Sequence, residues 1–237
     1  MRKILTIFFS FFSGKKQNKD SAFENLMRRA AVLKKQANLV GLQDLQKIIL
    51  KPIQAAHILD AYIKPAHSAM TELAWPEALG IECRVPSSNE WFSYHAMKYC
   101  SPSPEKHLKP LDLSTDIVLP TCWHPTSIVS TLGMIGSGLP AGIFTQDMNH
   151  RVIYVYPLGI GWVNNGNHSI AQGIIRGEGL FYEYGYVEIV DLMDLVHYDG
   201  IGWKVRGQSS YSGTPVYPEF GWAWEIGRMI AELENKL

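Results

Sequence analysis

A run of polar residues interrupts an apolar stretch in the second half of the chain. The run consists of Asn164, Asn165, Gly166, Asn167, His168 and Ser169. Apolar residues before it and apolar residues at helical spacing after it predict a strand, a turn and a helix. The first amides of a helix have no acceptor within the helix, and glycine lets a ligand approach the backbone closely. The start of this helix is therefore a candidate anion site.

The side chains of the run suit the same chemistry. Asparagine amides and the serine hydroxyl can donate hydrogen bonds, and histidine carries a proton near pH ~6.5. Arg176 is the nearest cation in sequence, about two turns along the predicted helix. We predict that residues 164–169 and Arg176 bind a small ligand that contains phosphate. A second interpretation stays open. Asn and Ser cap helices and Asn-Gly forms tight turns, so these polar residues could simply form hydrogen bonds with the backbone of their own turn and helix.

Cysteine chemistry is a weaker alternative. Cys122 and His124 are spaced as Cys-x-His, which suits zinc only when a second pair joins them. Cys122 with His168 could also form a nucleophile and base. We favour Cys122 as a small buried residue. The chain has three cysteines and no Cys-x-x-Cys spacing, which indicates a reducing cytoplasm.

The elements around the run define the expected architecture. The pattern predicts a strand at 111–119, a helix at 125–138, a strand at 141–146, two strands before the polar run, a helix at 168–177 and a strand at 184–193. Helices are predicted from Ser21 to Gly41 and beyond it, with breaks near Pro52 and Pro65, and a last amphipathic helix closes the chain. The fold class is therefore α+β.

Composition shifts suggest four regions. An apolar and basic segment with a linker covers 1–20, a helical region 21–105, a core with mixed strands and helices 106–200, and a loop with the final helix 201–237.

Residues 111–193 resemble the fold shared by ParB proteins and sulfiredoxins. In that family a strand leads through a turn written Asp-Gly-x-His-Arg into a helix, and Asn165 to Ser169 stand at the matching place. The resemblance implies a small mixed sheet with helices that binds a nucleotide with Mg²⁺. The family's phosphate-contacting arginine is replaced by Ser169, and Asn167 stands where sulfiredoxins have their catalytic cysteine. Sulfinic acid reduction is therefore not expected. The sequence also indicates no general base for hydrolysis or phosphotransfer. The whole chain is also similar to an uncharacterised bacterial family often carried on mobile elements.

Charge is divided unevenly along the chain. Residues 1–51 contain 11 Lys and Arg against 3 Asp and Glu, although the whole chain has a net charge of zero. Such an arm suits nucleic acid or membrane phosphates. The apolar run in 1–19 is shorter than the roughly 20 residues that span a bilayer, so it predicts at most peripheral membrane contact of a cytoplasmic protein. The alternative function is a non-catalytic module that binds DNA or protein through residues 1–51.

Overall fold

The structure is a computed structural model that describes residues 19–64, 74–98, 109–182 and 185–234. The helices are α1 (Lys19–Lys35), α2 (Leu39–Ile63), α3 (Trp75–Ala78), α4 (Phe92–Lys98), α5 (Pro125–Ser130), α6 (Asn167–Arg176), α7 (Val190–Met193) and α8 (Pro218–Glu234). The strands are β1 (Arg84–Val85), β2 (Glu90–Trp91), β3 (Leu111–Asp112), β4 (Ile117–Leu119), β5 (Arg151–Tyr156), β6 (Ile160–Asn165), β7 (Leu180–Phe181), β8 (Gly185–Glu188), β9 (Val196–Tyr198) and β10 (Trp203–Val205). The fold is α+β, which confirms the predicted class.

A mixed sheet lies at the centre, with strand order β4-β6-β5-β8. Strands β5 and β6 form an antiparallel hairpin, whereas β4 pairs with β6 and β8 pairs with β5 in parallel. Because β4 and β6 are parallel, their carboxyl ends lie at the same edge of the sheet. The loop after β4 and the turn after β6 therefore meet at that edge.

Each face of the sheet packs against a separate hydrophobic core. On one face, residues such as Trp162 pack with Leu50 of α2 and Trp224 of α8, so the N-terminal helices, the sheet and the last helix share a core. On the other face, Val163 packs with Ile170 of α6 and with a smaller group of apolar side chains. This second contact fixes α6 beneath the sheet and sets the direction of its first turn.

The N-terminal helices differ from the prediction in where they break. Helix α1 ends at Lys35 rather than Gly41, because Ala37 has a positive φ of 52° and Asn38 caps the next helix. The Asn38 side chain accepts a hydrogen bond from the Gly41 amide at 2.9 Å, which places Gly41 inside α2. Helix α2 also continues through Pro52. The predicted break there is wrong, and Pro65 lies outside the described residues.

Four predicted elements in the core differ from the structure. The strand at 111–119 is divided into β3 and β4 by a turn in which the Asp112 carboxylate accepts from the Ser114 amide at 2.8 Å. The helix at 125–138 ends at Ser130, and no strand forms at 141–146, where the chain is irregular. The strand at 184–193 gives way to α7 after Glu188.

Across the described ranges, no helix is both long and apolar enough to cross a bilayer. The segment 1–19, for which membrane contact is predicted, lies outside those ranges apart from Lys19.

Candidate functional site

The polar run forms the predicted strand-turn-helix. Strand β6 ends at Asn165, and α6 begins at Asn167. Gly166 between them has a φ of 82°, a left-handed conformation that favours glycine. A Cβ atom at this position would lie 2.5 Å from Cδ2 of His150. The glycine is therefore required by the close approach of the His150 ring as well as by the backbone conformation.

The two asparagines beside Gly166 bind backbone atoms. Asn165 accepts a hydrogen bond from the Gly166 amide through Oδ1 at 3.0 Å. Asn167 accepts through Oδ1 from the amide of Thr121 at 2.7 Å, which ties the loop after β4 to the start of α6. Asn164 lies at the end of β6 and is exposed. The N-cap is Gly166 and has no side-chain cap, so the asparagines do not cap α6.

Ser169 is held by a buried histidine. His150 accepts from the Asp147 amide through Nδ1 at 2.9 Å, and its Nε2 lies 2.6 Å from the Ser169 hydroxyl oxygen. The Ser169 hydroxyl donates to the Gly166 carbonyl at 3.1 Å. Because Nδ1 accepts from the Asp147 amide, we place the ring proton on Nε2, where it donates to Ser169, although Nδ1 also lies 3.0 Å from the Asp147 carboxylate. Burial lowers the pKa of His150, which favours this neutral form.

His168 faces the loop after β4. Its Nε2 accepts from the backbone amide of His124 at 3.3 Å, which leaves Nδ1 as the donor of the neutral ring. Burial lowers the pKa of His168, and the neighbouring His124 lowers it further. His168 is therefore a neutral donor at pH 7 rather than a cation.

The first backbone amides of α6 are not used as hydrogen-bond donors within the described residues. The first amide of α6 with an acceptor along the helix is that of Ile170, which donates to the Gly166 carbonyl at 3.0 Å. Among the residues that the structure describes, none accepts a hydrogen bond from the amides of residues 167–169. The side chains of Asn167, His168 and Ser169 are partly exposed, so this end of the helix is accessible to solvent. The partial positive charge of the helix start is concentrated on these amides.

Arg176 is not brought to the turn. It occupies the last position of α6, about 14 Å along the axis from Asn167 at the usual rise per residue. Its aliphatic carbons approach Gly136 in the irregular loop that follows α5. The structure thus gathers residues 164–169 at one edge of the sheet and leaves the nearest cation in sequence at the far end of the helix.

A model of a protein family of unknown function, DUF6710, matches residues 9–237. The chain belongs to the DUF6710 family. No curated protein and no solved structure matches it.

Behind the turn, the DUF6710 protein has a buried polar cluster that the sequence pattern did not indicate. His57 of α2 lies 2.9 Å from the Thr121 hydroxyl, and the Cys122 thiol donates to the Asn167 carbonyl at 3.5 Å. Tyr62 lies beside Cys122 and Gln172. The signal that could have located this cluster is the parallel pairing of β4 with β6, which brings residues 120–124 against the turn.

The cysteine alternatives find little support in this cluster. Cys122 is 2% exposed, and burial raises the pKa of its thiol to about 12. A thiol of that kind is protonated at pH 7 and is a poor nucleophile. Within the described segments, no three His, Cys, Asp or Glu side chains are grouped so that they could hold a metal ion. Cys122 therefore packs as the small buried residue that we favoured.

Proposed function

We propose that this DUF6710 protein binds the phosphate group of a small ligand at the start of α6. The observation that carries the proposal is the set of three neighbouring amides, at residues 167–169, that have no acceptor in the described part of the chain. They follow a left-handed glycine at an open edge of the sheet. Amides at a helix start, together with the helix dipole, form a site for an anion.

The side chains divide into two groups in this proposal. Asn167 and Ser169 hold the turn, since their oxygen atoms bind the Thr121 amide and the His150 ring. Asn164, the Asn165 side-chain NH₂ group and Nδ1 of His168 are the donors that can turn toward a ligand. The site would recognise phosphate mainly through the backbone, and the cation placed beside it is Arg151, the exposed residue that pairs with Asn165 across the hairpin of β5 and β6.

A nucleotide is the phosphate ligand that we propose. Support for a nucleotide comes from the resemblance of residues 111–193 to ParB proteins and sulfiredoxins, whose corresponding turn contacts phosphate. Mg²⁺ would then arrive with the nucleotide phosphates. The proposal extends to binding alone, because within the described residues no three His, Cys, Asp or Glu side chains are grouped to hold a metal ion beside the turn.

The test is a thermal-shift titration of the full chain with inorganic phosphate, ATP, GTP and CTP, each with and without Mg²⁺. A ligand at 100 times its dissociation constant stabilises a protein by about 2.7 kcal/mol, which raises the melting temperature by roughly 5 °C or more.

The matched variants are Asn165→Asp and Asn25→Asp. Asn165→Asp keeps an oxygen acceptor for the Gly166 amide but places a negative charge where the phosphate would bind, so the shift should disappear. Asn25→Asp makes the same chemical change at an exposed position of α1 and should keep the shift. The proposal fails if no probe shifts the protein, or if Asn165→Asp responds as the wild type does.

A non-catalytic module that binds DNA through residues 1–51 is the second candidate. Support comes from α1, where Arg28, Arg29 and Lys35 are exposed while Phe23 and Ala30 pack into the cores. DNA affinity that falls steeply between about 50 and 200 mM salt would support this candidate. An Arg28→Gln and Arg29→Gln double variant with unchanged affinity would contradict it.

A further inference from the structure

A cleft lies on the sheet face that carries Val152. Tyr154 and Tyr156 of β5 and Tyr186 of β8 line it side by side, and we call it the tyrosine cleft. The Tyr186 ring centroid is 6.2 Å from that of Tyr154 and 5.9 Å from that of Tyr156, with interplanar angles of 24° and 22°. The cavity measures about 470 Å³. This volume falls within the range of small-molecule sites, roughly 300–1,000 Å³.

Two carboxylates stand at the tyrosine hydroxyls. The Tyr156 hydroxyl donates to Glu234 at the end of α8, and the Tyr186 hydroxyl donates to Glu188 at 3.5 Å. Burial raises the pKa of both tyrosines, and the nearby carboxylates raise these values further. Both hydroxyls are therefore neutral and present their oxygen lone pairs, beside two negative charges.

A buried amide supplies a further fixed acceptor. Gln46 of α2 is 3% exposed, and its Nε2 donates to the carbonyls of Pro157 at 2.8 Å and Ala223 at 3.1 Å. Its Oε1 lies in the lining of the cleft and has no donor among the described residues. A Cβ atom on Gly159 would come within 3.0 Å of this oxygen, so glycine keeps the space beside it open.

The donors of the cleft are mostly occupied. Both Nε2 protons of Gln46 and the hydroxyl protons of Tyr156 and Tyr186 are used within the protein. The Lys47 ammonium also binds the Asp116 carboxylate at 2.9 Å. Lys109 is the second cation of the lining. The groups described above leave acceptors and aromatic surface for a ligand.

We propose that the tyrosine cleft binds a small organic cation, an amine or guanidinium group on a short apolar body. Its N–H groups would donate to Glu188, Glu234 and Oε1 of Gln46, and its charge would lie against the tyrosine rings. An anion would meet three carboxylates, Asp116, Glu188 and Glu234, against the two lysines of the lining, Lys47 and Lys109. A neutral polyol would bring as many acceptors as donors, and its acceptors would find few partners. The cleft shares no residue with the turn at residues 164–169.

The test compares n-butylguanidinium with n-butylurea, a neutral molecule of nearly the same shape, by isothermal titration calorimetry of the full chain. We expect n-butylguanidinium to bind at least tenfold more tightly, since hydrogen bonds that involve a charged group are roughly twice as strong as neutral ones. Equal binding of the two probes, or binding of neither, would overturn the proposal.

Variants locate the binding at the cleft. Glu234→Gln keeps an acceptor for the Tyr156 hydroxyl but removes the charge, and it should weaken n-butylguanidinium binding about tenfold. Glu82→Gln makes the same change at an exposed residue outside the cleft and should bind as the wild type does. Circular dichroism confirms that each variant is folded before titration. A folded Glu234→Gln variant with wild-type affinity would also overturn the proposal.

Discussion

Acid should destabilise the protein through His57, which supports the loop behind the turn. His57 is 5% exposed, its Nε2 lies 2.9 Å from the Thr121 hydroxyl, and no described residue binds its Nδ1. Burial lowers the pKa of His57 from 6.5 to about 4. A protonated ring would be an unpaired charge in the core, close to the residue that Asn167 binds.

The size of the effect follows from this pKa difference. Because the pKa is lower in the folded state, the unfolded chain takes up the proton first as the pH falls. The contribution of His57 to stability is fully present above pH ~6.5 and is lost as the pH falls toward 4. It amounts to roughly 2 kcal/mol by pH ~5 and roughly 3 kcal/mol below pH ~4.

Urea denaturation at pH ~7.5 and pH ~5 measures this loss. Burial also lowers the pKa values of His150 and His168, so the wild type loses stability through several histidines. His57→Gln isolates one of them, since glutamine stays neutral and can still reach Thr121. The wild type should lose roughly 2 kcal/mol more than His57→Gln between the two pH values. The exposed His197→Gln should behave as the wild type does. Equal losses in the wild type and His57→Gln would refute the reasoning.

Three further outcomes are expected around the turn. Ser169→Ala should lower the free energy of unfolding by roughly 1–3 kcal/mol in urea, because the buried His150 ring loses its acceptor; an unchanged value would contradict that bond. Gly166→Ala should also destabilise by more than about 1 kcal/mol, since the left-handed backbone and the His150 ring both oppose a Cβ atom, and an unchanged melting temperature would count against this geometry. Cys122 should resist iodoacetamide at pH ~8 in the native protein and react in urea, as peptide mass spectrometry can show, and rapid native alkylation would contradict its burial.

Elements with a strong local pattern could be predicted from the sequence. The hairpin of β5 and β6, helix α6 and helix α8 each show apolar residues at the period of their own structure. The region between α5 and β5 could not be predicted, because glycines with positive φ at positions 133, 136, 138 and 142 turn the backbone there. Its apolar residues resemble a strand only when these turns are ignored.

The candidate site could be predicted in part. The turn and its glycine follow from local sequence, and so do the accessible amides at the start of α6. The partners of its side chains come from distant positions: Thr121 is 46 residues from Asn167, and His57 is 64 residues from Thr121. No local pattern encodes such contacts. Sequence proximity also suggested Arg176, which helix geometry places at the opposite end of α6.

The most direct test of phosphate binding is an NMR titration of the ¹⁵N-labelled full chain with inorganic phosphate and with the nucleotide that gives the largest thermal shift. If the start of α6 binds phosphate, the amide resonances of Asn167, His168 and Ser169 should move most and saturate together. Unmoved resonances at these three residues, while those elsewhere shift, would place the ligand at another site and contradict the proposed function.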